Sequence, residues 1–579
     1  MKKLFLLGLF VLLYSTDIPS YWYKLLHYKK TIFGYESLID DKNFFITKNG
    51  KFDPKKEFLS SINIIKKNPK LFACKFPLRY TFLNNKYHLS TFSLNNCKKL
   101  QKYLKYVKSN SVYIIFADAS ISKPASMFGH TFLRFDKKSF SPIISKSVNY
   151  AAQVNDKNGI LFAFKGIFGF YKAYYNLLPY YKKIKQYNDI DSRDLWEYKL
   201  KFNQKEINRI LLHIYELKDI YSNYYFFKEN CSYNILYLID VAKDTNLTDK
   251  YHFVTVPLDT VKQLYKEKLI TKSSYRASLQ TQIYYILKKI KHKNLVIKIS
   301  NGKVPPTIVL KKNLTDKERA EILDVSVLYL QYLSRKKMIK HNIYTKRFLN
   351  ILKVRSKINY ISNYKVKSNN NPLYSHNSRR VLLGIYNKKP IIGYRFSYHS
   401  LEDNIFGYKK GFSLSFGDFR FTYDKKIKLQ KAGIIELKSF SPRNDFFKPI
   451  SWSVDFGIYR DYFISKDTLI WKLAPSFGIT KQINNLYIYS LLSSDIDYKK
   501  KIFVGVGPLF GFYSYKNCNF FEGKISYKKF FIEKNNYYNL LLGYRMKIST
   551  QNAIYINYEY KKSFHKINNC FNIFYYHYF

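Results

Sequence analysis

The sequence predicts an α+β domain with helical flanking modules, followed by an antiparallel β-barrel of about twelve strands. Three observations carry this expectation. The N-terminus places two lysines before a short apolar run. Between residues 110 and 290, short β-branched and aromatic runs mix with amphipathic helical patterns. From about Arg380 onward, stretches of roughly ten residues alternate in period two, and the chain ends on Phe579.

Lys2 and Lys3 form a positive segment, Leu4 to Tyr14 an apolar one, and Ser15 and Thr16 follow. This is the layout of a secretory signal over 1–16, too short to span a bilayer. No later segment has eighteen consecutive apolar residues, so no transmembrane helix is expected. The domains are then read as a helical N-terminal module (17–108), a thiol-bearing domain (109–290), a helical or mixed connector (291–375) and the barrel (376–579).

The chain has 579 residues, with 99 Lys+Arg against 40 Asp+Glu and a formal charge of +59. The lysines are spread along the whole length rather than gathered in one stripe, and no nucleic-acid module is recognisable. No nucleic-acid partner is expected. An anionic envelope surface suits this charge better. Neither a cofactor nor a metal is expected.

In the lead-in, Phe58 to Lys66 and Asn96 to Tyr106 have patterns that suit short helices. Cys74 and Cys97 lie in this one segment and are a candidate bridge in an exported chain. Cys518 and Cys570, both in the C-terminal third, are a second candidate pair. Connectivity is not deducible from sequence, but this count leaves Cys231 over.

Val112 to Ala117 is a short apolar run of buried-strand type, followed by a loop from Asp118 to Met127. Further strands are expected at His130–Phe135 and Ser147–Ala151. Asn203 to Leu217 reads as an amphipathic helix, with Asn203 as N-cap, Glu206 three residues on, and Ile207, Ile210, Leu211, Ile214 and Leu217 inward. Ser232 to Asp240 reads as a helix that starts just after Cys231, and Thr315 to Lys337 is the longest helical pattern.

Barrel strands are expected at Val381–Tyr386, Ile391–Tyr398, Gly411–Tyr423, Trp452–Tyr459, Ile502–Tyr513, Tyr538–Met546, Ala553–Tyr560 and Phe571–Phe579. About two hundred residues, at roughly sixteen per strand and turn, give about twelve strands. Aromatics recur near strand ends, as in interfacial girdles. The expected location is the outer membrane, with a periplasmic domain and membrane lipid as partner.

A thiol acts as nucleophile when a base and a lowered pKa are at hand. Cys231 at a helix N-terminus meets unpaired N–H groups and a partial positive charge, which favour the thiolate. Asn230 and Ser232 flank it as support for an oxyanion. His130, at the start of a core strand, is the candidate general base. Asn149 on the next strand is the candidate group that orients the imidazole, with Asp118 as runner-up in a supporting role.

The segments 116–120 and 124–134, together with Asn149–Ala152, Arg193–Tyr198 and Asn230–Tyr233, resemble the signature of the Lnb-type N-terminal periplasmic domain over roughly 110–290. The domain is similar to circularly permuted papain-like (NlpC-type) folds, in which histidine precedes cysteine, and its Asn-Cys dipeptide is similar to that of lecithin–retinol acyltransferases. The 74–97 stretch resembles the family's N-terminal extension. The segments 375–380, 398–403 and 447–452 resemble the C-terminal region of the proteobacterial members. The resemblance implies a Cys231 nucleophile, a His130 base and N-acylation of lipoproteins from phospholipid. Unlike the transmembrane members, this chain has no apolar span after the signal. His376 and His399 flank barrel strands and read as structural or interfacial.

The expected function is therefore a cell-envelope thiol acyltransferase or hydrolase with a Cys–His dyad, acting on phospholipid or lipoprotein N-termini. The same dyad also suits a cysteine peptidase or amidase working on peptidoglycan or envelope protein. A barrel serving assembly or adhesion without catalysis is the third reading.

Overall fold

The runs at Ser111–Ala117 (β3), His130–Asp136 (β4) and Lys146–Ala152 (β5) become the centre of an antiparallel sheet. They follow a short hairpin of Tyr28–Thr31 (β1) and Gly34–Ser37 (β2). Tyr171–Pro179 (β6), Leu195–Leu200 (β7), Tyr221–Tyr224 (β8) and Ile270–Arg276 (β9) complete a seven-stranded sheet in the order β8-β6-β5-β4-β3-β7-β9. This computed structural model describes residues 17–579 apart from 120–126, 139, 157, 369, 462–466, 532–534 and 564–565. The expected signal at 1–16, and most of the loop expected at 118–127, lie outside the described residues. The chain divides into two compact units, Met1–Asp118 with His130–Ser278, and Ala119–Gly129 with Leu279–Phe579.

In the first unit, β3 to β5 are buried over most of their length because the sheet centre is covered on both faces. The strands β6 and β9 are less buried. Along β6, buried Tyr171, Ala173 and Tyr175 alternate with exposed Lys172 and Asn176, and β9 is largely exposed at the sheet edge. The helix Cys231–Lys243 is buried from Cys231 to Ala242, so its apolar residues run all round instead of forming one stripe. The helix Gln204–Glu216 starts on the expected capping box of Asn203 and Glu206.

The lead-in contains helices Pro54–Lys67, Pro69–Lys75, Pro77–Tyr87 and Lys98–Val107. Three of them begin with proline at the first turn, where the missing N–H costs nothing. A disulfide joins Cys74 to Cys97 with Cα atoms 5.3 Å apart. The module is not wholly helical. Thr31-Ile32-Phe33-Gly34 makes the two-residue turn of the β1–β2 hairpin, with Gly34 at φ +123°, a conformation that favours glycine. Glu216 ties the lead-in to the sheet domain, accepting from the N–H groups of Leu78 and Arg79 at 2.8 and 2.9 Å.

In the second unit, helices Leu279–Leu287, Lys293–Ser300, Asp316–Arg335 and His341–Arg355 share one apolar core that includes Ile283, Ile299, Leu323 and Leu330. Phe446 and Phe447 join this core, and the Tyr329 hydroxyl donates to the Phe446 carbonyl at 3.0 Å. Twelve strands follow: β10 (Arg380–Tyr386), β11 (Lys389–His399), β12 (Phe412–Asp424), β13 (Lys426–Ser439), β14 (Ser451–Asp461), β15 (Thr468–Ile483), β16 (Leu486–Tyr498), β17 (Ile502–Lys516), β18 (Asn519–Phe530), β19 (Asn535–Lys547), β20 (Asn552–Ser563) and β21 (Lys566–Tyr578). All neighbours are antiparallel, and β10 pairs with β21, so the sheet closes and leaves no edge. Along β21, Cys570, Asn572, Phe574 and Tyr576 are buried while Phe571, Ile573 and Tyr575 face outward.

Cys518 and Cys570 are both free. Cys518 lies in the turn before β18, and β19 and β20 stand between it and Cys570 on β21. Three strand spacings amount to about 14 Å, well beyond the Cα separation of about 7 Å that a disulfide can bridge.

Candidate active site

The site begins at the N-terminus of the Cys231–Lys243 helix. Asn230 is the N-cap, in extended conformation, and its Oδ1 accepts from the N–H groups of Ser232 (3.0 Å) and Tyr233 (3.3 Å) and from the Ser232 hydroxyl (2.7 Å). Its side-chain amide donates to the carbonyls of Phe226 (3.1 Å) and Thr255 (2.7 Å). Asn230 therefore fixes the turn that presents Cys231, and every polar atom of its side chain is used. The Cys231 N–H donates to the Tyr224 hydroxyl at 3.3 Å. The first donors of the helix, expected to face an oxyanion, are thus already partnered in this state.

Cys231 is a buried free thiol. The Thr131 backbone, the Tyr224 hydroxyl and the Arg193 charge all favour its thiolate. His130 opens β4 opposite Ala117 of β3, and its Nε2–H donates to Asn149 Oδ1. An amide oxygen only accepts, so Nε2 carries the proton and Nδ1 keeps the lone pair. Asn149 on β5 thus holds the imidazole, whereas Asp118 closes β3. There the Asp118 carbonyl accepts from Arg193 Nε at 2.5 Å and its N–H donates to the Asp194 carbonyl at 3.0 Å.

Burial dominates the electrostatics. It pushes the Cys231 thiol above its ordinary value, against the opposing pull of the Thr131 and Tyr224 hydrogen bonds and the Arg193 charge. Burial likewise pushes His130 down to about 3, and the positive charges of Arg193 and Lys183 push the same way. The expectation of a thiolate stabilised at the helix N-terminus is therefore corrected. The helix start and its donors are present, but desolvation outweighs them, and the resting pair is a neutral thiol and a neutral imidazole.

Sequence reasoning assigned no role to four neighbours. The Tyr224 hydroxyl accepts from the Cys231 N–H. The Tyr187 ring lies 5.3 Å from His130. Buried Arg193 sits over Tyr187 at 5.0 Å and donates to the Ala117 carbonyl at 2.7 Å. Lys183, lowered to about 8 by burial, lies 5.5 Å from the same ring. Tyr224 stands seven residues before Cys231, and only the return of β8 to the helix brings them together.

His376 and His399 are buried in the second unit, with Nε2 of one 3.0 Å from Nδ1 of the other. Nearby Asp403 bonds Arg380 (2.9 Å), Arg395 (2.6 Å), the Ser400 N–H (2.8 Å) and the Tyr578 hydroxyl (2.7 Å). With its carboxylate so engaged, this cluster is a polar knot inside the barrel end.

Residues 99–267 match the Lnb N-terminal periplasmic domain. Three domains of unknown function match 17–86 (DUF7843), 273–365 (DUF7842) and 369–578 (DUF7840). No curated protein matches the chain. Among solved structures, the chain is similar to an anion-selective porin from Comamonas acidovorans, at 11% identity and a TM-score of 0.18, over 33% of this chain and 59% of the porin's length. It is also similar to a loop-deletion mutant of OmpT, an outer membrane protein of Vibrio cholerae (8% identity, 35% and 97% covered, TM-score 0.20), and to the KdgM porin in complex with disordered oligogalacturonate (10%, 35% and 99%, TM-score 0.22). Residues 99–267 are thus similar to the Lnb N-terminal periplasmic domain, and a closed twelve-stranded antiparallel barrel follows them.

Proposed function

We propose that the periplasmic unit is a cysteine-dependent acyl-transfer enzyme of the outer membrane, with phospholipid as acyl donor and a lipoprotein N-terminal amine as acceptor. One observation carries the reading. The free thiol of Cys231 starts a buried helix that packs on β4, the strand that His130 opens, and Asn149 sets the tautomer of that imidazole. The order histidine before cysteine also suits a permuted papain-like thiol site.

In this reading Cys231 is the nucleophile, His130 the general base and Asn149 the positioning residue. A neutral imidazole with a free Nδ1 lone pair takes the thiol proton as sulfur attacks the ester carbonyl. The ester C–O bond breaks, the leaving alkoxide takes the proton back from His130, and a thioester remains on Cys231. An amine then attacks the thioester, forming an amide and returning the thiol. Water in place of the amine gives a lipid hydrolase. The Tyr224 hydroxyl, bonded to the Cys231 N–H, is the donor assigned to the developing oxyanion.

Mass spectrometry of lipoprotein N-termini tests this. Cys231→Ala and His130→Ala are expected to abolish N-acylation that the wild-type gene restores to a deletion strain. Unchanged N-acylation in the deletion strain sinks the acyl-transfer reading. Altered muropeptides in the same strains would favour an amidase instead.

A further inference from the structure

Among the exposed large apolar side chains of the first unit, six sit at three places tied to one stretch of chain. Ile32 and Phe33, at the tip of the β1–β2 hairpin, are 90% and 94% exposed. Phe164, in the helix Gly159–Ile167, is exposed, as are Phe168 and Phe170 just after that helix. Phe253, in the loop after Tyr251, is 79% exposed. Singly exposed apolar residues are ordinary, but several held by one short stretch mark a candidate interaction site.

All three places are anchored to residues 225–230, the stretch that delivers Cys231. The Phe226 N–H donates to the Gly166 carbonyl at 2.9 Å, Phe162 lies 4.8 Å from the Phe226 ring, and a Cβ on Gly166 would collide with that ring. Gly169, at φ +77°, lies against Tyr225 in the same way. The hairpin reaches the stretch through Lys29, which interacts with Glu229 and lies 4.3 Å over the Tyr233 ring. The 253 loop reaches it through Thr255, whose N–H donates to the Phe227 carbonyl at 2.6 Å and whose carbonyl accepts from Asn230. One short stretch thus supports three apolar tips and the thiol.

We propose that these tips form a lipid-docking surface that seats the periplasmic unit on a phospholipid bilayer and brings Cys231 to its acyl donor. The charge pattern fits that occupant. Exposed Lys30 and Lys172 each stand two residues from an apolar tip, Ile32 and Phe170, as in interfacial segments where rings enter the acyl boundary and amines meet phosphate. The barrel keeps the protein at a membrane, so a lipid surface is always at hand. The inference rests on the reading of Cys231 as acting on lipid.

The test uses the full chain in vesicles of phosphatidylethanolamine with a minority of phosphatidylglycerol. A photo-crosslinking phenylalanine analogue is placed at Phe33, Phe168 or Phe253. The control is Tyr106, an exposed ring lying 3.9 Å from Lys146 at the opposite end of β5. The expected result is lipid adduct at the three tips at least about fivefold above the control, unchanged when Cys231→Ala is combined with each. Adduct no greater than at Tyr106, or products joining two copies of the chain, overturns docking. Because the Cys231→Ala background keeps the surface but not the thiol, failure of docking and failure of acyl transfer are read separately.

Discussion

At Cys231 two influences compete for one proton. The helix start, two hydrogen bonds and Arg193 favour the thiolate, and burial favours the thiol and prevails. Iodoacetamide labelling of Cys231 is therefore expected to stay slow at pH 7 and to rise only in the alkaline range, with Cys518, in its turn, as internal comparison. Rapid labelling at pH 7 would falsify the buried neutral thiol. At His130 the folded value of about 3 lies below the ordinary 6.5. Between those values the unfolded chain binds a proton that the folded one refuses, so stability is full above about 6.5 and is lost as pH falls toward 3. His27 and His213, also lowered by burial, act in the same direction. Limited proteolysis of the vesicle-bound protein is expected to cut the periplasmic unit faster at pH 4.5 than at pH 7. Equal rates would show that these imidazoles do not resist protonation. Asn149→Ala is expected to lower turnover about 10- to 100-fold by freeing the imidazole, with Asn149→Asp restoring part of it.

At the scale of elements, the Cys231–Lys243 helix depends on its cap. Asn230→Ala removes the acceptor for Ser232 and Tyr233, a loss of about 1 kcal/mol for the cap alone, and also frees the carbonyls of Phe226 and Thr255. A drop in the melting temperature of the periplasmic unit, by calorimetry, checks it. Between β4, β7 and β9, Glu197 accepts from Arg134 (2.6 Å), Arg276 (3.2 Å) and Tyr180 (2.7 Å). Glu197→Ala leaves Arg134 buried beside Asp136 alone and is expected to cost about 3–5 kcal/mol. A change below about 1 kcal/mol in denaturant unfolding would mean that water relieves the arginine. The capping box at Asn203 was legible in the sequence because a cap is a local pattern, while at Thr315 only the helix was read and the structure supplied the box. The strands β6, β8 and β9 were not legible, because their residues are largely part-exposed and gain strand geometry only by pairing, and in buried β7 Glu197 and Lys199 break the apolar run.

For the whole molecule, the barrel imposes the membrane as solvent on one face only. Phe477 on β15 points outward, while Ser476 beside it is buried and donates to Ser493 at 3.0 Å. Phe477→Arg is expected to destabilise the folded barrel by about 2–4 kcal/mol, read as loss of the heat-modifiable band on gels. Ser476→Ala is expected to leave that band in place. If both behave alike, the assignment of the lipid-facing side is wrong.

The sequence by itself determined the barrel and the two chemical ends of the site. Period-two alternation is fixed by strand geometry, and histidine at a strand start and cysteine at a helix start are local features. The tertiary structure decided what those ends experience. Only packing shows that Asn149 holds the imidazole, that Tyr224 meets the Cys231 N–H, and that burial favours the neutral form of both groups. Hydrogen-bond partners and desolvation depend on which distant segments meet, and no local pattern records that.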